Sequence, residues 1–395
     1  MKILLAAATF ATNISGVQRY ALNVARCLLP QPEIEQLHVV VGPWQKNLFV
    51  EAGLPRSIKV VLHAAQITES SMSRNLWYYR ALPKLAAELG VDIVHNTCPM
   101  PMKAAAFHCP TVVTLHDLYP YEIPMNFGFP KFVFNRVMLR HCLRNADSIA
   151  CVSGATSALL RRYAPASVWR KSIQIYNCVE REHAGAAEPP LPSWTGEPFL
   201  LCIAQHRRNK NIPLLIRVFD RLLHSGAIAA NAQLVVIGIR GPESGRIGQM
   251  IRDKSIDSKV HLLEGITEAE LQWCYQNCDV LVAPSITEGF GLPVAEGLLA
   301  GCRIVCSDIP AHREIGEGHC RFVTLREDAD TALAHGIASA LEDPKPSPVR
   351  LPQLSGPVLA KQYIALYRRL LVSTRNTCIE ASDGNFAMQL RGKMK

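Results

Sequence analysis

The chain has 395 residues, 49% of them apolar, which is more than one hydrophobic core ordinarily absorbs, so two domains are expected. The formal net charge of +9 is spread along the chain, with no dense block beyond pairs such as Arg161-Arg162 and Arg207-Arg208; it suits anionic partners in general and selects none of them. No apolar run approaches the roughly 20 residues of a membrane span, and the thirteen cysteines, odd in number and scattered, argue for reduced core thiols of a cytoplasmic protein and against a disulfide framework.

The segment from Met1 to Ala8 imitates a secretion signal, with one basic residue ahead of an apolar stretch. The stretch is short and runs into a loop and an amphipathic segment, so it reads as a first buried strand. Strands are then expected at Lys2 to Ala7, Gln36 to Val41, Ile58 to Leu62, Ile93 to Asn96, Thr111 to Leu115, Ser148 to Val152 and Ile173 to Tyr176, with helical patterns between them such as Gln18 to Leu29. Short apolar runs alternating with amphipathic stretches are the signature of a parallel sheet covered on both faces.

His183 to Gly196, with Pro189-Pro190, Pro192 and no periodicity, reads as a linker. A second series follows at Phe199 to Ala204, Gln233 to Gly238, Val260 to Leu263, Val280 to Ala283 and Arg303 to Ser307, with helices such as Asn211 to Leu223 and Glu268 to Cys278 between. Cys274 and Cys278 share a helix face but lack a second ligand pair nearby in sequence, which disfavours zinc. Asp328-Ala329-Asp330, directly before a helical pattern, reads as N-capping and not as a metal-holding triplet. The expected organisation is therefore a doubly wound domain over 1–182, a linker over 183–197, a second doubly wound domain over 198–356, an amphipathic helix over 357–372 and a tail over 373–395.

Ligands of such sheets bind in loops beyond the C-terminal strand ends. The richest loop runs from Pro284 through Glu288-Gly289-Phe290-Gly291-Leu292-Pro293 to Glu296, after an apolar strand and into a helix whose start is fixed by Pro293. A helix start offers free N–H groups and partial positive charge to a phosphate, and glycines let the ligand approach the backbone. Each residue alone is explained by a turn or by the helix dipole. Two Glu beside a diphosphate would repel it unless they bound hydroxyls, so a ligand with both phosphates and vicinal diols, a nucleotide sugar, explains the pair better than phosphate alone.

A Glu, seven residues and a second Glu, written Glu288-Gly-Phe-Gly-Leu-Pro…Glu296, resembles the signature of family 4 glycosyltransferases. The likeness extends in order through Gly16, Thr114-Leu115-His116-Asp117-Leu118, Cys151-Val152-Ser153, Tyr176-Asn177, Lys210-Asn211-Ile212 and Asp308…Glu314. Gly297, where Ala is usual, and Asn177-Cys178-Val179, where Asn-Gly-Val is commoner, depart from the pattern without removing a reacting group.

The resemblance implies the α/β GT-B fold: two Rossmann-like domains facing a cleft, the first for the acceptor and the second for the nucleotide sugar, with the C-terminal helix packing back on the first. It implies that Glu288 contacts the transferred sugar, that Gly289, Phe290, Gly291 and Leu292 offer backbone donors to sugar and phosphate, that Glu296 takes the ribose hydroxyls, and that Gly16 abuts the diphosphate or acceptor. His116 becomes a contact for the sugar or reacting centre. A phosphate clamp falls on Lys210 with Arg207 or Arg208, Arg207 favoured. The chemistry implied is retaining, by front-face attack without a protein nucleophile and without a catalytic metal or resident cofactor.

The His116-Asp117-Leu118 segment and the Glu288-Gly-Phe-Gly-Leu-Pro loop resemble those of mannosyltransferases, and this resemblance favours GDP-mannose as donor, with UDP-glucose or a deoxyhexose donor open, and implies as acceptor a glycan or polyprenyl-linked glycan of surface polysaccharide. Arg136, Arg140, Arg144, Arg161 and Arg162 suggest peripheral docking on anionic lipid at the inner face of the cytoplasmic membrane. No nucleic-acid motif is present. The competing readings are a sugar-nucleotide epimerase of similar fold and a non-catalytic basic protein binding membranes or nucleic acid.

Overall fold

The structure, a computed structural model, describes residues 1–9, 15–180, 189–191 and 194–373. Asn13 and Ile14 of the first loop, residues 183–188, 192 and 193 of the expected linker, and the tail from 374 onward lie outside the described residues.

The first sheet is built from β1 (Lys2–Ala6), β2 (Gln36–Val41), β3 (Val60–Ala64), β4 (Ile93–Asn96), β5 (Thr111–Leu115), β6 (Ser148–Cys151) and β7 (Ser172–Gln174), in the order β3-β2-β1-β4-β5-β6-β7. The second is built from β8 (Phe199–Ile203), β9 (Gln233–Ile237), β10 (Val260–Leu263), β11 (Val280–Ala283), β12 (Ile304–Ser307) and β13 (Arg321–Val323), in the order β10-β9-β8-β11-β12-β13. Every pairing is parallel. Central strands such as β1, whose Ile3, Leu4, Leu5 and Ala6 are all inaccessible, are buried on both faces and therefore carry continuous apolar runs. Strand order reverses beside β1 in the first sheet and beside β8 in the second, which opens a crevice at the C-terminal strand ends. The loops leaving β1, β5, β8 and β11 carry Gly16, His116, Lys210 and Glu288.

Three local expectations are corrected. Ile58 is fully exposed and precedes β3, which starts at Val60. A strand not expected, β13, completes the second sheet. Asp328 stands at the N-cap of the helix Ala329–Glu342 but its side chain makes no cap hydrogen bond, and Asp330 instead accepts from both Nε and Nη2 of Arg217 at 2.8 Å.

A helix over residues 356–373 returns to the first sheet. Its start is tied by Gly356 N–H donating to Glu180 Oε1 at 2.6 Å. Leu359, Ala360, Tyr363, Ile364, Leu366 and Tyr367 join one apolar cluster with Leu5, Ala21 and Val24. Within that cluster the Tyr20 hydroxyl shares hydrogen bonds with Tyr363 OH at 2.5 Å and Thr114 Oγ1 at 2.6 Å, while His95 bridges Thr114 Oγ1 at 2.7 Å and Tyr367 OH at 2.8 Å. Every polar group of this network has a partner, which is the condition for burying it cheaply.

Candidate active site

Glu288 lies in the loop after β11, its side chain 9% exposed. Its Oε1 accepts from Lys210 Nζ at 2.5 Å and from Ser285 Oγ at 2.6 Å, and its Oε2 accepts from Tyr119 OH, across from the first half, at 3.2 Å. Burial pushes this carboxyl up, but the Lys210 charge and the hydroxyl of Ser285 outweigh it and hold Glu288 below the usual carboxylate range. A buried, ionised carboxylate fixed by three donors can stabilise positive charge that develops on a sugar ring.

Lys210 ends the short turn Arg208–Lys210 after β8, and Asn211 beyond it adopts a left-handed conformation, φ 53°, that starts the next helix. Arg207 is exposed, and its charge acts on Asp117 and Tyr119 of the first half.

Gly291 is the N-cap of the helix Leu292–Ala300, with φ 91°, where a side chain would be strained and would press on His312. The helix start thus presents free N–H groups beside Glu288. Phe290 and Leu292 pack their side chains into the apolar cluster around Val294 and Leu298, so they face a ligand only with their backbone. Gly297 fits because Leu281 and Ile304 fill the space a methyl group would need.

The same loop touches the first half directly. The Gly289 carbonyl accepts from Ser153 Oγ and from Thr156 Oγ1, the latter at 2.9 Å, and the His116 carbonyl lies where a side chain on Gly289 would begin. Glu314 reaches across to accept from Gly154 N–H at 2.7 Å and Ala155 N–H at 2.9 Å, the first turn of the helix Gly154–Tyr163, where helix N–H groups favour an anion. Glu314, the last residue of the family-like segment Asp308…Glu314, is spent on holding the two halves together.

His116 donates Nε2–H to the Thr97 carbonyl at 2.7 Å, which leaves Nδ1 as the lone-pair nitrogen of the neutral ring. Burial pushes its pKa down to about 4, and that of His95 down to about 3. Burial pushes Asp117 the other way, up to about 6. The two histidines stay neutral when folded but take a proton near pH 6.5 when unfolded, so their stability is present above that pH and is lost as pH falls towards their folded values. Asp117 has the opposite sign, taking its proton near 6 when folded and near 3.8 when unfolded, and offsets part of one histidine. Between pH 7 and pH 5 these groups together are expected to remove on the order of 2 kcal/mol of stability. Denaturant unfolding at the two pH values checks this, and equal or greater stability at the lower one would show the rings to be solvated.

Glu296, one turn into its helix, accepts from Tyr275 OH at 2.6 Å and from Arg19 Nη1 at 3.3 Å. Burial raises its carboxyl despite both donors. Gly16 begins the helix Gly16–Leu28, which is capped by Ser15, whose N–H donates to Gln18 Oε1 at 2.8 Å; a side chain on Gly16 would meet open space. Among the described residues no three His, Cys, Asp or Glu are grouped so as to hold a metal ion.

Residues 14–183 match the family Glycosyltransferase Family 4, and residues 187–352 match Glycosyl transferases group 1. The chain belongs to the family 4, group 1 glycosyltransferases. This glycosyltransferase is 24% identical over 365 residues to an O-antigen chain mannosyltransferase B of Escherichia coli, covering 87% of this chain and 91% of that one. It is 27% identical over 272 residues to a Campylobacter jejuni N-acetylgalactosamine-N,N'-diacetylbacillosaminyl-diphospho-undecaprenol 4-alpha-N-acetylgalactosaminyltransferase, covering 66% and 70%. Its fold is that of Anabaena HepE, solved with UDP and glucose, at a TM-score of 0.62 and 16% identity over 97% of this chain and 99% of that one. The two parallel sheets facing a crevice are the GT-B arrangement expected.

The structure brings Glu288, Lys210 and Gly289 to Leu292 of the glycosyltransferase together, and sets Glu296 beside them on the helix that follows. His116 meets this group through its carbonyl against Gly289, while its ring is turned to Thr97 and edge-on to Tyr20 at 4.8 Å. Sequence reasoning missed Tyr119, Ser285, His312 and Arg19. Tyr119 follows the quoted His116-Asp117-Leu118 directly and Ser285 lies in the quoted loop, so both were in view; nothing local marks His312 or Arg19.

Proposed function

We propose that this glycosyltransferase moves a hexose, mannose from a GDP donor, with retention of configuration, onto a glycan or polyprenyl-linked glycan of a surface polysaccharide. The carrying observation is the loop Gly289 to Leu292, set between the buried carboxylates of Glu288 and Glu296 and ending in an open helix start. Glu288 takes the sugar and stabilises charge at its reacting carbon, Glu296 takes the ribose diol, and Lys210 with Arg207 faces the diphosphate as its negative charge develops. Arg207 is favoured over Arg208 because its charge already acts on the first half at Asp117. The acceptor attacks on the face that the diphosphate leaves, and the departing phosphate takes the acceptor proton, so no protein nucleophile and no metal ligand set is required of the chain. The mannosyltransferase name of the E. coli relative supports the sugar, and the undecaprenol-linked substrate in the name of the C. jejuni relative supports the acceptor.

Docking on an anionic leaflet is the accompanying reading. No helix among the described residues is long and apolar enough to cross a membrane. Phe129, Val133, Phe134 and Val137, on and just before the helix Lys131–Asn145, are exposed beside Arg140 and Arg144. Arg136 is less available than its charge suggests, because its Nε donates to the Pro120 carbonyl at 2.7 Å and its guanidinium covers Tyr121.

Thermal unfolding with GDP-, UDP-, dTDP- and ADP-sugars, without added metal, tests the proposal, since a ligand bound only by the native state raises its midpoint. A rise with GDP-mannose above the others is expected, followed by transfer of labelled mannose to a lipid-linked acceptor. A rise with another donor alone would overturn the sugar, and no rise with any would overturn the site.

A further inference from the structure

Arg19 sits one turn into the helix Gly16–Leu28, on the first half, yet its guanidinium is spent on the second. Nη2 donates to Glu268 Oε2 at 2.8 Å and Nη1 to Glu296 Oε1 at 3.3 Å. The shorter contact is with Glu268, so the guanidinium is moored there and reaches Glu296 from that anchor. Glu296 is 15% exposed, and the Tyr275 hydroxyl holds its other oxygen at 2.6 Å.

Gripping a vicinal diol asks one thing of Glu296: two oxygens free to accept. A protonated carboxyl spends one of its oxygens as a donor. Burial favours that protonated form. Arg19 is the cation set against it, and it comes from the half of the molecule that does not contain Glu296.

We propose that Arg19 is a positioning residue for the donor, keeping Glu296 ionised and aimed at the ribose hydroxyls from across the crevice. The proposal rests on the ribose reading of Glu296 given above. The groups facing Glu296 are Arg19 and Tyr275, which favour its ionised form, and Glu268, which opposes it. Burial leaves the carboxyl above its ordinary range even with Arg19 present, and loss of Arg19 raises it further. In Arg19→Gln, therefore, the ionised fraction falls as pH falls, and donor affinity falls with it.

Titration calorimetry of GDP and UDP against wild type, Arg19→Gln and Arg19→Lys, from about pH 8 down to about pH 5.5, tests this. Arg19→Gln is expected to bind the preferred nucleotide several-fold more weakly at the acidic end and to recover towards wild type at the basic end, because loss of the cation leaves more of the buried Glu296 carboxyl protonated as pH falls. Arg19→Lys restores most of the affinity and flattens the slope, and the 2′-deoxy nucleotide narrows the gap between wild type and Arg19→Gln. In transfer assays the loss appears in the donor KM with kcat nearly kept.

Arg19→Gln with wild-type affinity and pH profile overturns the proposal and leaves the ribose reading standing. A loss that is uniform in pH, equal for the deoxy nucleotide and accompanied by a lower unfolding midpoint overturns it as well, in favour of a contact that only joins the halves. If wild type binds neither nucleotide, the ribose reading of Glu296 fails, and the role of Arg19 fails with it.

Discussion

Glu288→Gln is expected to lower transfer by about 100- to 1,000-fold while changing nucleoside diphosphate affinity only a few-fold. Shape and hydrogen-bonding length are kept in this variant, and only the charge is lost. In the structure that charge is buried and faces Lys210 at 2.5 Å, with Ser285 and Tyr119 completing its donors. Removing it takes away the anion that would meet positive charge developing on the sugar and leaves Lys210, 17% exposed, without its partner. Breaking a buried pair from one side costs about 3–5 kcal/mol of stability, so the assay is paired with an unfolding curve and run where the variant is folded. Turnover at the wild-type rate would remove Glu288 from the chemistry. A loss of nucleotide binding equal to the loss of transfer would move it from the sugar to the phosphate.

Gly289→Ala is expected to abolish most transfer for a different reason. Gly289 does not have positive φ, so alanine suits its own backbone. The added methyl carbon, however, would lie 1.6 Å from the His116 carbonyl oxygen and 2.7 Å from its carbon, on the other half of the molecule. Both obstacles are backbone, and no side chain can swing aside. Overpacking ordinarily costs about 1–3 kcal/mol, and here it falls on the contact that closes the halves and also on the hydrogen bonds from Ser153 and Thr156 to the Gly289 carbonyl. Small-angle scattering should show a larger radius of gyration than wild type, together with the loss of transfer. Unchanged scattering and unchanged turnover would mean that this closed contact is not the working one.

Much of the fold was legible because a strand buried on both faces carries a nearly continuous apolar run, as β11 does throughout, β1 does beyond Lys2 and β2 does over Val39 to Val41. Strands at or near the sheet edges were less so. Ile58 looks like the start of β3 but is fully exposed, and β13 is only three residues long and begins with Arg321. The site was legible where its residues are neighbours in the chain, as Glu288 to Glu296 are. Arg19 is 277 positions from Glu296, and Tyr119 is 169 from Glu288, so no spacing in the sequence could join them. Glu314 shows the converse: its place in a family-like segment gives no hint of its role, and only the helix start at Gly154 reveals a clasp.

The buried network under His116 has a consequence for how the chain comes to be folded. Tyr20 meets Tyr363, 343 positions later, and His95 meets Tyr367, 272 positions later. The apolar cluster around β1 is incomplete until residues 356–373 have been made. At roughly 5–20 residues per second of synthesis, the first sheet waits on the order of tens of seconds for its last helix. The second sheet has no such wait, because its strands and the helices between them leave the ribosome as one block. Until then Tyr20 and His95 can share only the Thr114 hydroxyl, and the Tyr363 and Tyr367 hydroxyls that complete their bonds are still to come.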